Sequence, residues 1–469
     1  MNENDKIDPA NSAISVSCRV PLLALFGGAA LWLVIGLALV MLASLNFHMP
    51  GMFSDHGWMT YGRMLAAGND AILYGFAIPT ALGVMLWILA SLSDSELALP
   101  LVPVLAANVW HLGVLVGIAA IFMGDSTGFQ WLEFPRGGSV LLFAAYMLMG
   151  ISAMATFGAR RKRALQPAHW FLLAALFWFP WIYTSANVFL VAWPVRGVGQ
   201  AVIDWWFSNN LIFVWLTLVG LGTVFYYVPK FAGRPLHNQP LALFGFVTFI
   251  LISTWCGIPQ GAPVPAWFPA ASTTASILLI VPVLSLLAVF VKTVCGVQTQ
   301  CKGGPFCYMK FGTTAFIVSA LMLIPLGCPR FGVLAQFTEY AQAQSYMQIL
   351  GFFSIVICGA VYELMPRVMG MDWPFQKFVR FQHWLFMGGL AILVISLAIG
   401  GVEQEMNNYN FTSGVIFMKF ATLGFLLLLL GSLLFAANIF VMTLKWKLGL
   451  AKAFIAVIKR PLDASEVKS

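Results

Sequence analysis

Apolar stretches long enough to cross a lipid bilayer recur twelve times in this 469-residue sequence. A spanning helix needs about 20 predominantly apolar residues, and only Pro, Gly and short polar clusters separate the stretches. Lipid offers the backbone no hydrogen-bond partner, so each stretch is predicted to be a helix. The sequence therefore predicts an all-α polytopic membrane protein with about twelve transmembrane helices, near residues 21–45, 71–92, 99–123, 138–158, 168–193, 205–229, 240–258, 270–292, 309–329, 341–365, 382–402 and 415–443.

The composition agrees with one continuous membrane domain. Hydrophobic residues make up 60% of the chain and charged residues only 9%, which excludes an ordinary soluble protein. No long linker interrupts the apolar stretches, so residues 21–443 are assigned to a membrane domain between a tail at 1–20 and a basic tail at 444–469. The net charge of +8 is explained by cytoplasmic loops rather than by a nucleic-acid partner.

Basic residues orient the helices. With the N-terminus inside, all but five of the 25 Lys and Arg residues fall on the inner side, and an even number of spans returns the C-terminus to that side. Both termini are therefore expected to be cytoplasmic. The outer loops 46–70, 124–137 and 194–204 carry Trp, Pro and Gly and could dock a periplasmic partner.

Few ionisable residues lie within the predicted spans, where such groups are functional candidates. Asp70 and Asp204 are placed at outer helix ends, in contact with solvated headgroups. Glu363 is expected to pair with Arg367. His111 is the one histidine near mid-membrane, either bonded to a neighbouring helix or acting as a metal ligand.

The cysteines indicate no metal centre. Cys295, Cys301 and Cys307 are separated by five residues each, and the sequence contains no Cys-x-x-Cys or Cys/His zinc spacing. They are interpreted as free thiols.

Two stretches dense in aromatic and amide side chains, Trp205–Asn210 and Trp255–Gln260, are predicted to be walls of one buried pocket. With several other motifs they carry a family resemblance. From about Trp170 to Arg367 the chain resembles subunit I of the C-family (cbb3-type) haem–copper oxidases, which also has twelve helices. The matching strings are WWFSNN at 205–210, FYYVPK at 225–230 followed by Arg234-Pro235, FTEY at 337–340, YELMPR at 362–367, His383-Trp384, and YGR at 61–63.

The family's chemistry uses six histidines, because imidazole is a neutral nitrogen donor suited to iron and copper. Carrying the motifs over residue by residue implies these positions: low-spin haem ligands at Gly68 and Tyr346, the high-spin haem ligand at Gln344, and copper ligands at Asn209, Pro259 and Gln260. The family's cross-linked tyrosine falls near Ser253. None of the six positions is His, and no histidine lies between His237 and His383.

These substitutions predict a chain with no catalytic residues and no haem or copper of its own. The first functional hypothesis is a membrane subunit of a respiratory electron-transfer complex in a bacterial inner membrane. A c-type cytochrome or another respiratory subunit would then dock at the periplasmic side.

Two alternatives remain at the level of sequence. An active terminal oxidase or nitric oxide reductase subunit would bind haem b and copper through unusual ligands, with His111 the weak candidate. A quinone- or solute-binding protein would use the vacated cavity as a polar site, lined by Asn209, Asn210, Gln260, Gln342, Gln344 and Tyr346.

Overall fold

A computed structural model describes residues 9–53, 55–162, 164–296, 304–335, 338–406 and 411–458. These residues form twelve main helical segments, with a short helix at Pro329–Ala335 between the ninth and tenth, and contain no β-strand. The segments are α1 Pro9–His48, α2 Tyr61–Ser93, α3 Leu101–Met123, α4 Arg136–Gly158, α5 Pro167–Ala192, α6 Val198–Ala232, α7 Gln239–Ser253, α8 Trp267–Val294, α9 Pro305–Gly327, α10 Glu339–Met369, α11 Gln376–Met406 and α12 Phe411–Ile458.

The predicted all-α membrane architecture is confirmed, with one short member. In the described chain, eleven segments are long and apolar enough to cross a bilayer, whereas α7 has 15 residues. It ends at Ser253, before the predicted limit at 258. Gly257 has a φ of +93° and Pro259 has no backbone N–H, so the helix cannot continue through this stretch.

Three helices form the core of the membrane domain. All of the 18 most apolar consecutive residues of α2 are buried, and the same is true of α6. In α10, 89% of the corresponding residues are buried, whereas at most 50% are buried in the other eight long segments. The outer helices therefore face lipid on one side. The central three helices contain Gly68, Asn209 and Gln344, which are matched to metal-ligand positions.

Several helix ends extend into segments predicted as loops or tails. The helix α2 begins at Tyr61 and α6 at Val198, so much of the predicted outer loops 46–70 and 194–204 is helical. These first turns are too polar to register as apolar runs. At the chain ends, α1 begins within the predicted tail 1–20 and α12 continues past residue 443.

The structure corrects the placement of Asp70 and confirms that of Glu363. Asp70 is fully buried within α2, so the headgroup interpretation is wrong. Asp204 lies inside α6 and is partly buried, not at a helix end. Glu363 pairs with Arg367 one turn along α10, as expected.

The cysteines do not form one loop. Cys295 follows α8 and is exposed, Cys307 is buried in the first turn of α9, and Cys301 lies outside the described residues. All cysteines that the structure describes are free thiols.

Candidate functional site

Each core helix contains a π-helical stretch that begins one to three residues after a position matched to a metal ligand. A π-helical turn contains one more residue than an α-helical turn, rotates the side chains that follow, and is frequent at functional sites. The sequence analysis missed these turns because they leave no apolar signature. They are Ala71–Ala77 in α2, Asn210–Trp215 in α6 and Met347–Ser354 in α10.

Gly68 lies in tight contact with α1. A Cβ placed on Gly68 would be 2.7 Å from Cγ1 and 2.9 Å from the backbone N of Val40, and 3.0 Å from the carbonyl oxygen of Gly36. The reciprocal contact is equally close, since a Cβ on Gly36 would lie 2.9 Å from the Gly68 oxygen. Two small residues thus let the helix backbones meet, as in other membrane helix pairs.

Asn209 joins the two stretches that the sequence places beside one pocket. Its side-chain amide donates a 2.9 Å hydrogen bond to the carbonyl oxygen of Ser253 at the end of α7. A Cβ on Gly257 would lie 2.5 Å from the Asn209 Cβ, so the side chain packs directly on the second stretch. The Ser253 hydroxyl donates to the carbonyl oxygen of Phe249 within its own helix.

Pro259 and Gln260 lie in the irregular segment between α7 and α8. The Gln260 amide donates to the carbonyl oxygen of Pro269 at 2.9 Å and also contacts the Thr273 hydroxyl. That hydroxyl in turn donates to the carbonyl oxygen of Gly327. Gln260 thus links the segment to α8 and α9.

Gln344 and Tyr346 project from the first turns of α10 into different environments. Gln344 donates to the Ser319 hydroxyl on α9 at 3.2 Å. The Tyr346 hydroxyl accepts a 3.1 Å hydrogen bond from Gln342 and donates at 2.9 Å to the Asn69 oxygen on α2.

The residues proposed as a polar cavity do not line one space. Gln342 and Tyr346 border a cavity of about 10 Å³, with Tyr61 and Ser44 on other walls. This is about the room needed for one water molecule. The other residues form separate hydrogen-bonded groups, since the Asn210 side chain, for example, bonds within α6 and to the Trp178 indole.

His111 on α3 lies over a glycine of α1. A Cβ on Gly28 would be 2.4 Å from the His111 Nε2, and the backbone of Ala24 and Leu25 lies beside the ring. Neither ring nitrogen has a hydrogen bond of good geometry within the described chain. The histidine is a helix-packing contact in this structure.

Three carboxylates that the sequence analysis did not bring together lie around the segment 130–133. Asp70 contacts Glu133, and the Asp204 side chain reaches the backbone of Gln130. Trp131 has a φ of +63°, and its carbonyl accepts from the Tyr74 hydroxyl at 2.6 Å.

Burial, together with the negative charge of Asp204, raises the pKa of Glu133 in this loop to about 7. Within the part of the chain that the structure describes, no three His, Cys, Asp or Glu side chains converge as metal ligands. We therefore assign no cation to these carboxylates.

Haem and copper do not fit the six matched residues. Gly68 and Pro259 have no side-chain donor atom, and the three amides are poor ligands for haem iron that already bond to protein groups. A tyrosine can ligate haem iron, but the Tyr346 hydroxyl lies between Gln342 and Asn69.

Comparison with known proteins matches the chain over most of its length. The family described as cytochrome C and quinol oxidase polypeptide I matches residues 20–420. The cbb3-type cytochrome c oxidase subunit CcoN1 of Stutzerimonas stutzeri is 19% identical over 432 residues, covering 88% of this chain and 90% of that protein. A cytochrome c oxidase subunit 1 homolog of Azorhizobium caulinodans is 22% identical over 441 residues, covering 88% and 80%.

The fold comparison agrees. A chain from a haem–copper terminal oxidase dimer, solved by electron cryomicroscopy, aligns with a TM-score of 0.77 and 14% identity. The alignment covers 91% of this chain and 84% of the other. Such a match at low identity shows a shared helical architecture.

Proposed function

Because this chain belongs to the family described as cytochrome C and quinol oxidase polypeptide I, we propose that it is a membrane subunit of a respiratory electron-transfer complex and holds no haem or copper centre of its own. The family fold and the packing motifs are retained, whereas the residues at the ligand positions have other partners. The protein then acts as a scaffold within the complex rather than as its catalytic centre.

The contact at Gly68 carries this proposal. An ordinary ligand exchange would leave room for an imidazole, but here even a Cβ would strike the Val40 side chain and backbone. A ligand at this position therefore requires both a different residue and a displaced α1. The Asn209 contact with Gly257 supports the same interpretation at the copper position.

A redox partner, such as a c-type cytochrome, is proposed at the outer ends of the helices. The segment between α1 and α2, with Trp58 half-exposed, and the segment between α5 and α6, with Arg196 exposed, form part of that surface. The bias of basic residues toward the other side supports cytoplasmic termini in a bacterial inner membrane.

The proposed alternative of a quinone or polar solute in the vacated cavity has weaker support. The space beside Gln342 and Tyr346 holds about one water molecule, and a quinone ring is many times larger.

The decisive experiment is a metal and haem inventory of the full chain purified from its native membranes. We expect haem and copper far below one per polypeptide, and no Soret band that follows the protein. A related subunit with all six histidines, purified in parallel, controls for cofactor loss during extraction. One haem b or one copper per chain would overturn the proposal.

The variant His111→Ala tests the alternative of an active oxidase that binds haem through His111. If His111 ligates a haem, the Soret band of the purified chain disappears in this variant while the yield of folded protein is retained. We expect identical spectra for the two proteins.

A further inference from the structure

An open groove of about 440 Å³ lies where α4 begins and α5 ends, at one membrane surface. The loop before α4 supplies Asp125 and Phe129, the first turn of α4 supplies Arg136, and the end of α5 supplies Leu190 and Val191. Its volume is within the range of small-molecule sites. The site is independent of whether the chain binds haem.

The groove contains one charge of each sign on separate walls. The Arg136 guanidinium is exposed, and its Nη2 is held by a 2.5 Å hydrogen bond to the carbonyl oxygen of Val191. The Asp125 side chain is also exposed. Among the described residues, neither of these side chains takes part in an ion pair. The groove thus offers a fixed cation and an anion to a ligand that carries both charges.

Two lipid-facing stripes run from the groove along the length of α4 and α5. The exposed apolar residues recur at helical spacing along α4 and α5, beginning with Val140, which is 65% exposed one turn below Arg136. Trp193, 77% exposed, lies just beyond the end of α5, as expected at an interface. The stripes consist of Val140, Met147, Ile151 and Met154 on α4, and Trp170, Phe177, Trp181 and Phe189 on α5.

We propose that this groove binds the headgroup of a zwitterionic phospholipid with a primary ammonium, of the phosphatidylethanolamine class. The phosphate lies against Arg136 and the first-turn N–H groups of α4, which favour an anion. The ammonium donates to the Asp125 carboxylate. The acyl chains follow the two apolar stripes between the helices.

The two charges also determine selectivity. A phosphatidylglycerol carries the phosphate and hydroxyl groups but no ammonium, so Asp125 gains no cationic partner. A phosphatidylcholine has a methylated ammonium that cannot donate a hydrogen bond. Of these three headgroups, only ethanolamine offers both an anion to Arg136 and a hydrogen-bonding cation to Asp125.

The test uses the full chain in mixed micelles with equal amounts of the three phospholipids, and native mass spectrometry counts the lipids retained. We expect preferential retention of phosphatidylethanolamine. Asp125→Asn should lower its preference over phosphatidylglycerol by about fivefold, the size of one exposed charged contact. Arg136→Gln should reduce retention of all three lipids.

Arg196→Gln is the matched control, because Arg196 is exposed at the same surface but does not line the groove. Arg136→Lys keeps the positive charge but loses the guanidinium that bonds to Val191. It should retain more lipid than Arg136→Gln. Helical content and monodispersity confirm that each variant is folded. Equal retention of the three lipids by the unaltered chain would overturn the proposal. So would an equal loss in Arg196→Gln, or a copurified polypeptide that occupies the groove in place of lipid.

Discussion

The polar groups of the helical core and those around the loop at 130–133 are buried in different ways. In the core, neutral amides such as Asn209 and Gln344 donate to nearby oxygens. Around the loop, Asp70 has two carboxylate oxygens, and Glu133 and Asp204 one each, that are buried without a hydrogen-bond donor among the described residues. A neutral amide tolerates incomplete bonding far better than a carboxylate does.

This difference separates a chemically inert region from a titratable one. The three amides at the matched positions donate to protein oxygens and carry no charge at any pH, although the Asn209 Oδ1 has no partner among the described residues. Glu133, in the loop outside the membrane-spanning segments, holds its proton more tightly than a solvated glutamate because burial raises its pKa, so this region changes with pH. The following predictions test this comparison, from the largest expected effect to the smallest.

The largest effect is expected from Gly68→Leu in the core. The added side chain must displace Val40 and the α1 backbone, and we expect a loss of stability of about 3 kcal/mol, at the upper end for overpacking. Thermal unfolding in mild detergent measures it. Gly62→Leu, in the same helix and with open space around its Cβ, is the control. Equal melting temperatures for the two variants would contradict the close helix contact.

Glu133→Gln should remove a pH dependence from the loop region. The pKa of Glu133 is about 7 in the folded protein and 4.5 in a solvated chain. The folded state therefore binds the proton more tightly, and its extra stability below pH 4.5 is lost as the pH rises through 7. We expect the unaltered protein to lose about 2 kcal/mol between pH 5 and pH 8, because Glu133 keeps some solvent contact.

Melting temperatures at the two pH values test this prediction, and Glu133→Gln should show the smaller change. An unchanged slope in Glu133→Gln would show that another group titrates.

Asn209→Leu should weaken the junction between α6 and α7 by about 1 kcal/mol, the net value of one buried hydrogen bond. Asn108→Leu is the matched control, because Asn108 is exposed and bonds only within its own helix. Hydrogen exchange at the end of α7 measures the local effect. No difference between the variants would mean that the Ser253 contact contributes nothing.

The smallest effect is expected from His111→Leu, a change of under about 0.5 kcal/mol. The imidazole has no hydrogen bond of good geometry, and an apolar group of similar size replaces it at little cost. Gly28→Ala should be more harmful, because its Cβ would strike the imidazole. A large loss in His111→Leu would instead point to a bonded histidine.

Much of the fold could be predicted from local sequence. Apolar length alone located the long helices and the single membrane domain, since the bilayer imposes both length and hydrogen bonding. The first ten residues of α2, Tyr61–Asp70, were missed because they are too polar to be read as part of a span. The end of α7 was misplaced because the sequence stays apolar after Ser253, whereas the backbone leaves the helical conformation before Gly257, which has a positive φ.

The candidate site was predicted only in part. The motifs identified Asn209 and Gln344 as replacements, but not the partners that these side chains have found. The position of Asp70 could not be inferred, because its burial depends on Glu133 and the loop that covers it.

The sequence by itself determined the membrane class, the family and the residue types at the six matched positions, because these depend on composition and local motifs. Only the tertiary structure decided that α1 lies against Gly68, that three carboxylates meet around residues 130–133, and that Asp125 and Arg136 face one groove. The first two features, and the closure of the groove by Leu190 and Val191, join residues far apart in the chain, and packing between helices rather than any local pattern brings them into contact.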